Sequence, residues 1–373
     1  MTGAAALRLA AAHAVGGACG AVAWVIGLPL PWLLGALLLV GGVSVSGADV
    51  PMYRPLRDGG VLVLLTGVGL TFTPDAAQAM LAQLHIIALG AVATLLFAAM
   101  GVPFLARYGN VSRRTAWFAC IPGGPAEMSL LGERFGGDPA PIAFSQLMRI
   151  VLLVLTLPPL MALSGWHGVL TPQIDATAFD AAGYALILSA ALAVALGLRR
   201  LGLATAFLVG PLLVGCGLAI LDRAPSSAPY WAMSAAQVAM GVYLGAQFSR
   251  KRLAALRQFL PGAFINVVML TLLCAALGVA LHWLNDEDSA TMILATAPGS
   301  VAEMALTANA LHLNTPVVLA YHVVRILVVL LLAVPMFHAL ERLGLFRNDA
   351  PAPVILPSAT LPPAAPPPGA PAE

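Results

Sequence analysis

Charge is scarce in this chain. Asp, Glu, Lys and Arg make up 9% of its 373 residues and hydrophobic residues 60%, with a mean hydropathy of +0.92. That balance excludes an ordinary soluble globular protein and points to a polytopic membrane protein. Lysine is almost missing: Lys251 is the single one among 18 basic residues. Cysteine is sparse too, and Cys19, Cys120, Cys216 and Cys274 stand singly in apolar stretches, without metal-ligand spacing, as small buried residues do. The histidines are dispersed, and no pair has the spacing and carboxylate of a copper or iron site. Neither a metal nor a cofactor is therefore expected. No loop is long enough to fold independently, and no P-loop or dinucleotide pattern stands in a strand–turn–helix context. A DNA-reading element has nowhere to sit, so direct binding of nucleic acid is not expected.

What the chain does have is a duplication. PGGPAEMSLL at 122–131 returns as PGSVAEMALT at 298–307. Arg149 follows Glu127 by the same interval at which Arg325 follows Glu303, and Pro159 and Pro335 close the same segment. Gly69 and Phe72 match Gly245 and Phe248 at the same offset, and Gly27 and Gly35 match Gly202 and Gly210 at an offset one position shorter. The expected organisation is a first membrane unit over 1–175, a second over 176–348, and a Pro/Ala-rich tail over 349–373 that cannot bury enough surface to fold.

About 20 residues cross the hydrocarbon. Spans are expected at 9–28, 31–48, 57–73, 84–105 and 139–163, then at 181–198, 202–221, 231–248, 260–284 and 315–340. The first, after Arg8, reads as a span rather than a cleaved signal peptide. Two further apolar segments, 116–134 and 290–311, carry the Pro-Gly motifs. If each enters and leaves on one side, the halves are inverted and matching loops should differ in charge. Arg107, Arg113 and Arg114 in one loop face Asp286, Glu287 and Asp288 in its partner, and Asp75 faces Arg250, Lys251, Arg252 and Arg257. Ten crossings put all the loop arginines and the lysine on the cytoplasmic side except Arg223, whereas twelve crossings split them almost evenly. The positive-inside rule prefers the first. The expected fold is thus an all-α polytopic membrane protein of two inverted-topology repeats, about ten transmembrane helices plus two broken, re-entrant segments, with both termini cytoplasmic.

Pro122, Gly123, Gly124 and Pro125 cannot continue a helix, so the backbone opens there and restarts near Pro125 with Glu127 in the first turn. Pro298, Gly299 and Ser300 do the same ahead of Glu303, although Ser300 and Val301 replace Gly124 and Pro125 and make a less sharply defined start. Free N–H groups at such starts favour an anion, and inverted halves would bring both to one midplane site. Arg149 and Arg325 are the basic residues inside spans, and Gln146 and His322 precede each by three positions on the same face. The arginines either pair with Glu127 and Glu303, locking the broken helices, or bind substrate directly. His322 is a candidate proton relay. Trp32, Trp117, Trp166, Trp231 and Trp283 lie near span ends as interface anchors.

The duplicated PGG-x-x-EM block with its Arg-bearing span, together with LPWLLG at 30–35 and FLVGPL at 207–212, resembles the AbrB family of bacterial inner-membrane proteins, also labelled ammonia monooxygenase. The likeness covers about residues 9–345. It implies an inner-membrane protein assigned to regulation of gene expression, without a defined molecular activity. The duplication itself favours a secondary transporter of a small, anionic or other solute, coupled or not to an ion, acting on transcription indirectly. The alternatives are a membrane sensor without transport and, with no visible metal site, a monooxygenase. An enzyme is not expected, and homo-oligomerisation is left open.

Overall fold

The computed structural model describes residues 3–166, 179–203, 205–284 and 287–344. The expected tail at 349–373, and Asp286, lie outside the described residues. The described chain is all-helical. The first eight helices are α1 (Gly3–Val25), α2 (Pro31–Ser46), α3 (Arg54–Leu70), α4 (Pro74–Ala82), α5 (Leu84–Tyr108), α6 (Arg113–Cys120), α7 (Pro125–Arg134) and α8 (Pro139–Leu163). The second eight are α9 (Ala181–Arg200), α10 (Ala206–Ile220), α11 (Tyr230–Ala246), α12 (Arg250–Ala255), α13 (Leu260–His282), α14 (Ser289–Thr296), α15 (Val301–Ala310) and α16 (Thr315–Arg342). From α3 with α11 to α8 with α16, each later helix starts at one constant offset from its counterpart: Arg54 and Tyr230, Pro74 and Arg250, Leu84 and Leu260, Arg113 and Ser289, Pro125 and Val301, Pro139 and Thr315.

Six helices, α1, α5, α8, α9, α13 and α16, are long and apolar enough to cross a membrane, and α2 and α10 are shorter apolar helices. Two stretches expected as plain loops are helical instead. Pro74 supplies a fixed φ at the first position of α4, and the RKRLAA run of α12 combines three basic residues with a good helix-forming end. Trp117 is also not an interface anchor: its side chain is fully buried, in one core cluster with Phe118 and Phe144. Trp231 and Trp283 are 65% and 81% exposed, as anchors are.

The helices sort into two packed sets. In one, α3 lies on α10 and α11 on α2, so each crossing joins the earlier half to the later. Glycine makes these approaches possible. A Cβ on Gly69 would lie 2.9 Å from the Cys216 nitrogen, and one on Gly245 would lie 2.7 Å from the Gly41 nitrogen, closer than real side chains come. The other set joins α5 to α13 and α16, and α8 to α6, α7 and α13. Most of α8 is buried, its apolar face shared between the two main core clusters.

Candidate functional site

Each Pro-Gly motif divides a short hairpin. α6 begins with Ser112 capping the Thr115 amide at 3.1 Å, and α7 returns to the same end. Thr115 Oγ1 there accepts the Asp138 amide at 2.9 Å, and Arg114 donates to the Phe135 carbonyl at 3.2 Å. The second hairpin closes in the same way: Asp288 caps Thr291 at 3.2 Å, and Thr291 Oγ1 accepts the Asn314 amide at 3.3 Å. With 8 and 10 residues, each arm is about 12–15 Å long, roughly half a hydrocarbon thickness.

The two hairpins open at opposite ends of α16. Asn314, at the mouth of the second, caps the start of α16. Near its far end Glu341 pairs with Arg114 at 3.0 Å, and Phe337 packs on Phe135, both at the mouth of the first. A helix of 28 residues separates these points by about 42 Å.

At each tip the backbone is extended and a new helix starts. Gly124 has φ −72° and ψ 143°, and Ser300 has φ −84° and ψ 150°. The serine thus takes the same conformation as the glycine, and the second start is as well defined as the first. Glycine at 124 leaves room for the Glu127 carboxylate, which folds back over the cap and would have to move aside for a Cβ there. The first intrahelical bonds run from Met128 to Gly124 and from Met304 to Ser300. They leave the amides of Ala126 and Glu127, and of Val301, Ala302 and Glu303, without intrahelical acceptors.

Side chains of α8 and α16 hold the tips open. Gln146 donates to the Phe118 and Ile121 carbonyls at 2.9 and 2.7 Å and accepts from the Gly123 amide at 3.4 Å. Arg149 donates to the Gly123 carbonyl at 3.1 Å. In the second hairpin Arg325 spans the gap, donating to the carbonyls of Ala297 and Gly299, and His322 lies beside the Ala297 carbonyl. His322, the counterpart of Gln146, bonds the Val318 carbonyl of its own helix at 2.8 Å. The Arg149–Glu127 and Arg325–Glu303 ion pairs, one of the two alternatives the sequence leaves open, are not formed among the described residues. The arginines turn instead to the carbonyls that the helix breaks leave without partners. These bonds do not satisfy them: Nε and Nη1 of Arg149 and Nε of Arg325 are buried without a hydrogen-bond partner, as is Oε2 of Glu303.

These groups share one cavity of about 340 Å³ lying between the two helix sets, within the roughly 300–1,000 Å³ of small-molecule sites. Of the residues singled out in the sequence, Pro122, Gly123, Gly124, Glu127, Arg149, Gly299, Ser300, Glu303 and Arg325 line it. Gln146, His322 and Pro298 stand behind the wall, and both Gln146 and His322 are fully buried. Glu303 is 2% exposed, whereas Glu127 is half-buried. The facing wall adds residues that sequence reading missed: Arg54, Arg57, Asp58, Tyr243 and Gln247. Arg57 pairs with Asp58 at 2.9 Å and lies over the Tyr243 ring at 5.6 Å. The duplication could not flag Arg54, Arg57 and Asp58, whose counterparts are Tyr230, Met233 and Ser234. No cluster of metal-ligating side chains occurs among the described residues.

An all-helical chain with several membrane-length apolar helices, and a cavity shared by two broken hairpins, has the make-up of a multi-pass membrane protein. The family described as "Transition state regulatory protein AbrB" matches residues 32–341, and the chain belongs to that family. Among its relatives is a Bacillus subtilis (strain 168) protein named "Uncharacterized protein YhjN", 23% identical over 363 residues, spanning 90% of this chain and 94% of the relative. Another is the Escherichia coli (strain K12) "Putative regulator AbrB", 24% identical over 310 residues, 82% of this chain and 88% of the relative. No solved structure matches the chain significantly.

Proposed function

We propose that this protein is a secondary transporter carrying a small solute with an anionic group through the cavity between the two hairpins. One observation carries the reading: the guanidinium groups of Arg149 and Arg325, each 4% exposed, keep donors without partners on the wall of a cavity that two helix starts also face. A buried, unfilled donor costs free energy that a bound anion recovers. Supporting it are the helix starts repeated at a constant offset, the hairpins that open at opposite ends of α16, and the opposite charges of matching loops. Together these favour two inverted repeats, ten crossings and both ends in the cytoplasm of a bacterial inner membrane.

Regulation, in the family description and in the name of the Escherichia coli relative, then follows from moving the solute, since no DNA-reading element occurs among the described residues. Flux of small carboxylates in proteoliposomes, together with their effect on the melting temperature of the detergent-purified protein, is the direct test. Binding without flux would turn the reading to a membrane sensor. Glu127→Gln and Glu303→Gln keep size and hydrogen bonding, so survival of full activity in both would show that the carboxylates only cap their helices. The orientation predicts that a cysteine placed at Arg252 is shielded from impermeant label in intact cells and one at Glu287 is labelled. The reverse pattern overturns it.

A further inference from the structure

The cavity offers unfilled groups of both kinds. Arg149 presents donors at Nε and Nη1, and Arg325 presents one at Nε. Glu303, equally deep at 2% exposure, presents an acceptor at Oε2. Arg57, engaged by Asp58 and Tyr243, acts on Glu303 as a charge across the cavity but makes no hydrogen bond to its Oε2. A simple anion would satisfy the arginines and leave Glu303 Oε2 without a hydrogen-bond donor, the Ser300 side chain and the Glu303 amide being the groups beside that carboxylate. A simple cation would do the opposite. Between these polar groups the wall is apolar, with Leu65, Ile150, Phe207, Met240 and Leu244 among the lining residues.

We infer that the solute is a small zwitterion with an apolar body, of the class of the aliphatic α-amino acids. Its carboxylate meets Arg149 and the free amides at the start of α7, its ammonium meets Glu303, and its side chain rests on the aliphatic wall. The inference rests on the transporter reading of the same cavity and adds the requirement for a donor on the solute. It makes Glu303 a specificity-determining residue, since charge-assisted bonds to a buried group are lost entirely by an analogue that lacks the matching donor.

The test compares leucine and valine with isocaproate and isovalerate, which lack only the amino group, and with isoamylamine, which lacks the carboxylate. Affinities are measured by calorimetry on the full chain in detergent, with melting temperature as a second readout. The amino acids should bind about tenfold or more tightly than either partial analogue, the worth of one charge-assisted hydrogen bond. In Glu303→Gln the advantage of leucine over isocaproate should shrink to near unity. That ratio is taken within one preparation and does not depend on how well the variant folds. If isocaproate matches leucine in the unaltered protein, the zwitterion inference falls and the anion reading stands. If no compound of the panel binds, the inference falls, and a succinate and phosphate screen decides whether the transporter reading falls with it.

Discussion

The first hairpin and the second share a frame and differ in how their tips are held. In the first, the work is divided: Gln146 bonds the carbonyls of Phe118 and Ile121, and Arg149 is left with one carbonyl and two unfilled donors. In the second, histidine replaces glutamine and bonds Val318 of its own helix while lying beside the Ala297 carbonyl, and Arg325 donates to both Ala297 and Gly299. Arg149 keeps two unfilled donors and Arg325 one. Identical positions in a duplicated frame thus carry different duties, and the neighbour three positions earlier decides which.

The largest effect should separate the arginines. Arg325→Met strands two buried carbonyls at about 1–3 kcal/mol each, whereas Arg149→Met strands one. Arg325→Met should therefore lose most of its monodisperse yield in detergent, with Arg149→Met folding and failing to bind. Equal losses in thermal stability would erase the proposed division between the two arginines. Comparable is Gln146→Leu, which leaves the Phe118 and Ile121 carbonyls unpaired and should destabilise by about 2–6 kcal/mol. His322→Leu removes a bond within its own helix and should cost about 1 kcal/mol or less. Paired melting curves give the order directly.

Much of this was legible in the sequence, because covalent constraints announce themselves. Proline and glycine clustered at 122–125 and at 298–299 favour an interruption of the helix, and a glutamate just after the interruption then lies in a first turn. The arginines were legible as costly groups needing partners, but not which partners. Their pairing with carbonyls depends on where α8 and α16 pass the tips, a property of packing. The opposite wall was hidden for the same reason. Arg57 and Tyr243 lie near the ends of apolar helices, where polar residues ordinarily face water, and only the docking of α3 and α11 turns them inward. Trp117 misled because position along a span does not say which face is buried.

A smaller change converts one tip toward the other. Gly124→Ser reproduces Ser300, but its Cβ would occupy the space now filled by the Glu127 carboxylate. The carboxylate must swing off the cap, at about 1–2 kcal/mol if the cavity accommodates it. Reverse substitution, Ser300→Gly, crowds nothing and should change stability by under about 1 kcal/mol. Similar shifts in both directions would mean that the glycine at 124 is not there for the glutamate.

The smallest effect tests whether the hairpin mouths are equivalent. Thr115 and Thr291 are matched in sequence, both fully or nearly fully buried, and each accepts one backbone amide where its hairpin closes. Valine is nearly isosteric but cannot accept that bond, so each substitution should cost about 1 kcal/mol. The contacts are not equal, however. The Asp138–Thr115 distance is 2.9 Å, and Thr115 Oγ1 also lies 2.9 Å from the Ser112 hydroxyl. At the second mouth the Asn314–Thr291 distance is 3.3 Å, and closure is shared with the Asn314 amide donating to Glu287 at 3.1 Å. Thr115→Val should therefore lower the melting temperature more than Thr291→Val, and Asn314→Leu should exceed Thr291→Val because it removes the contact that carries the second mouth. If Thr291→Val proved the most damaging of the three, closure would depend on the shared threonine bond at both ends and the proposed asymmetry would be confined to the tips.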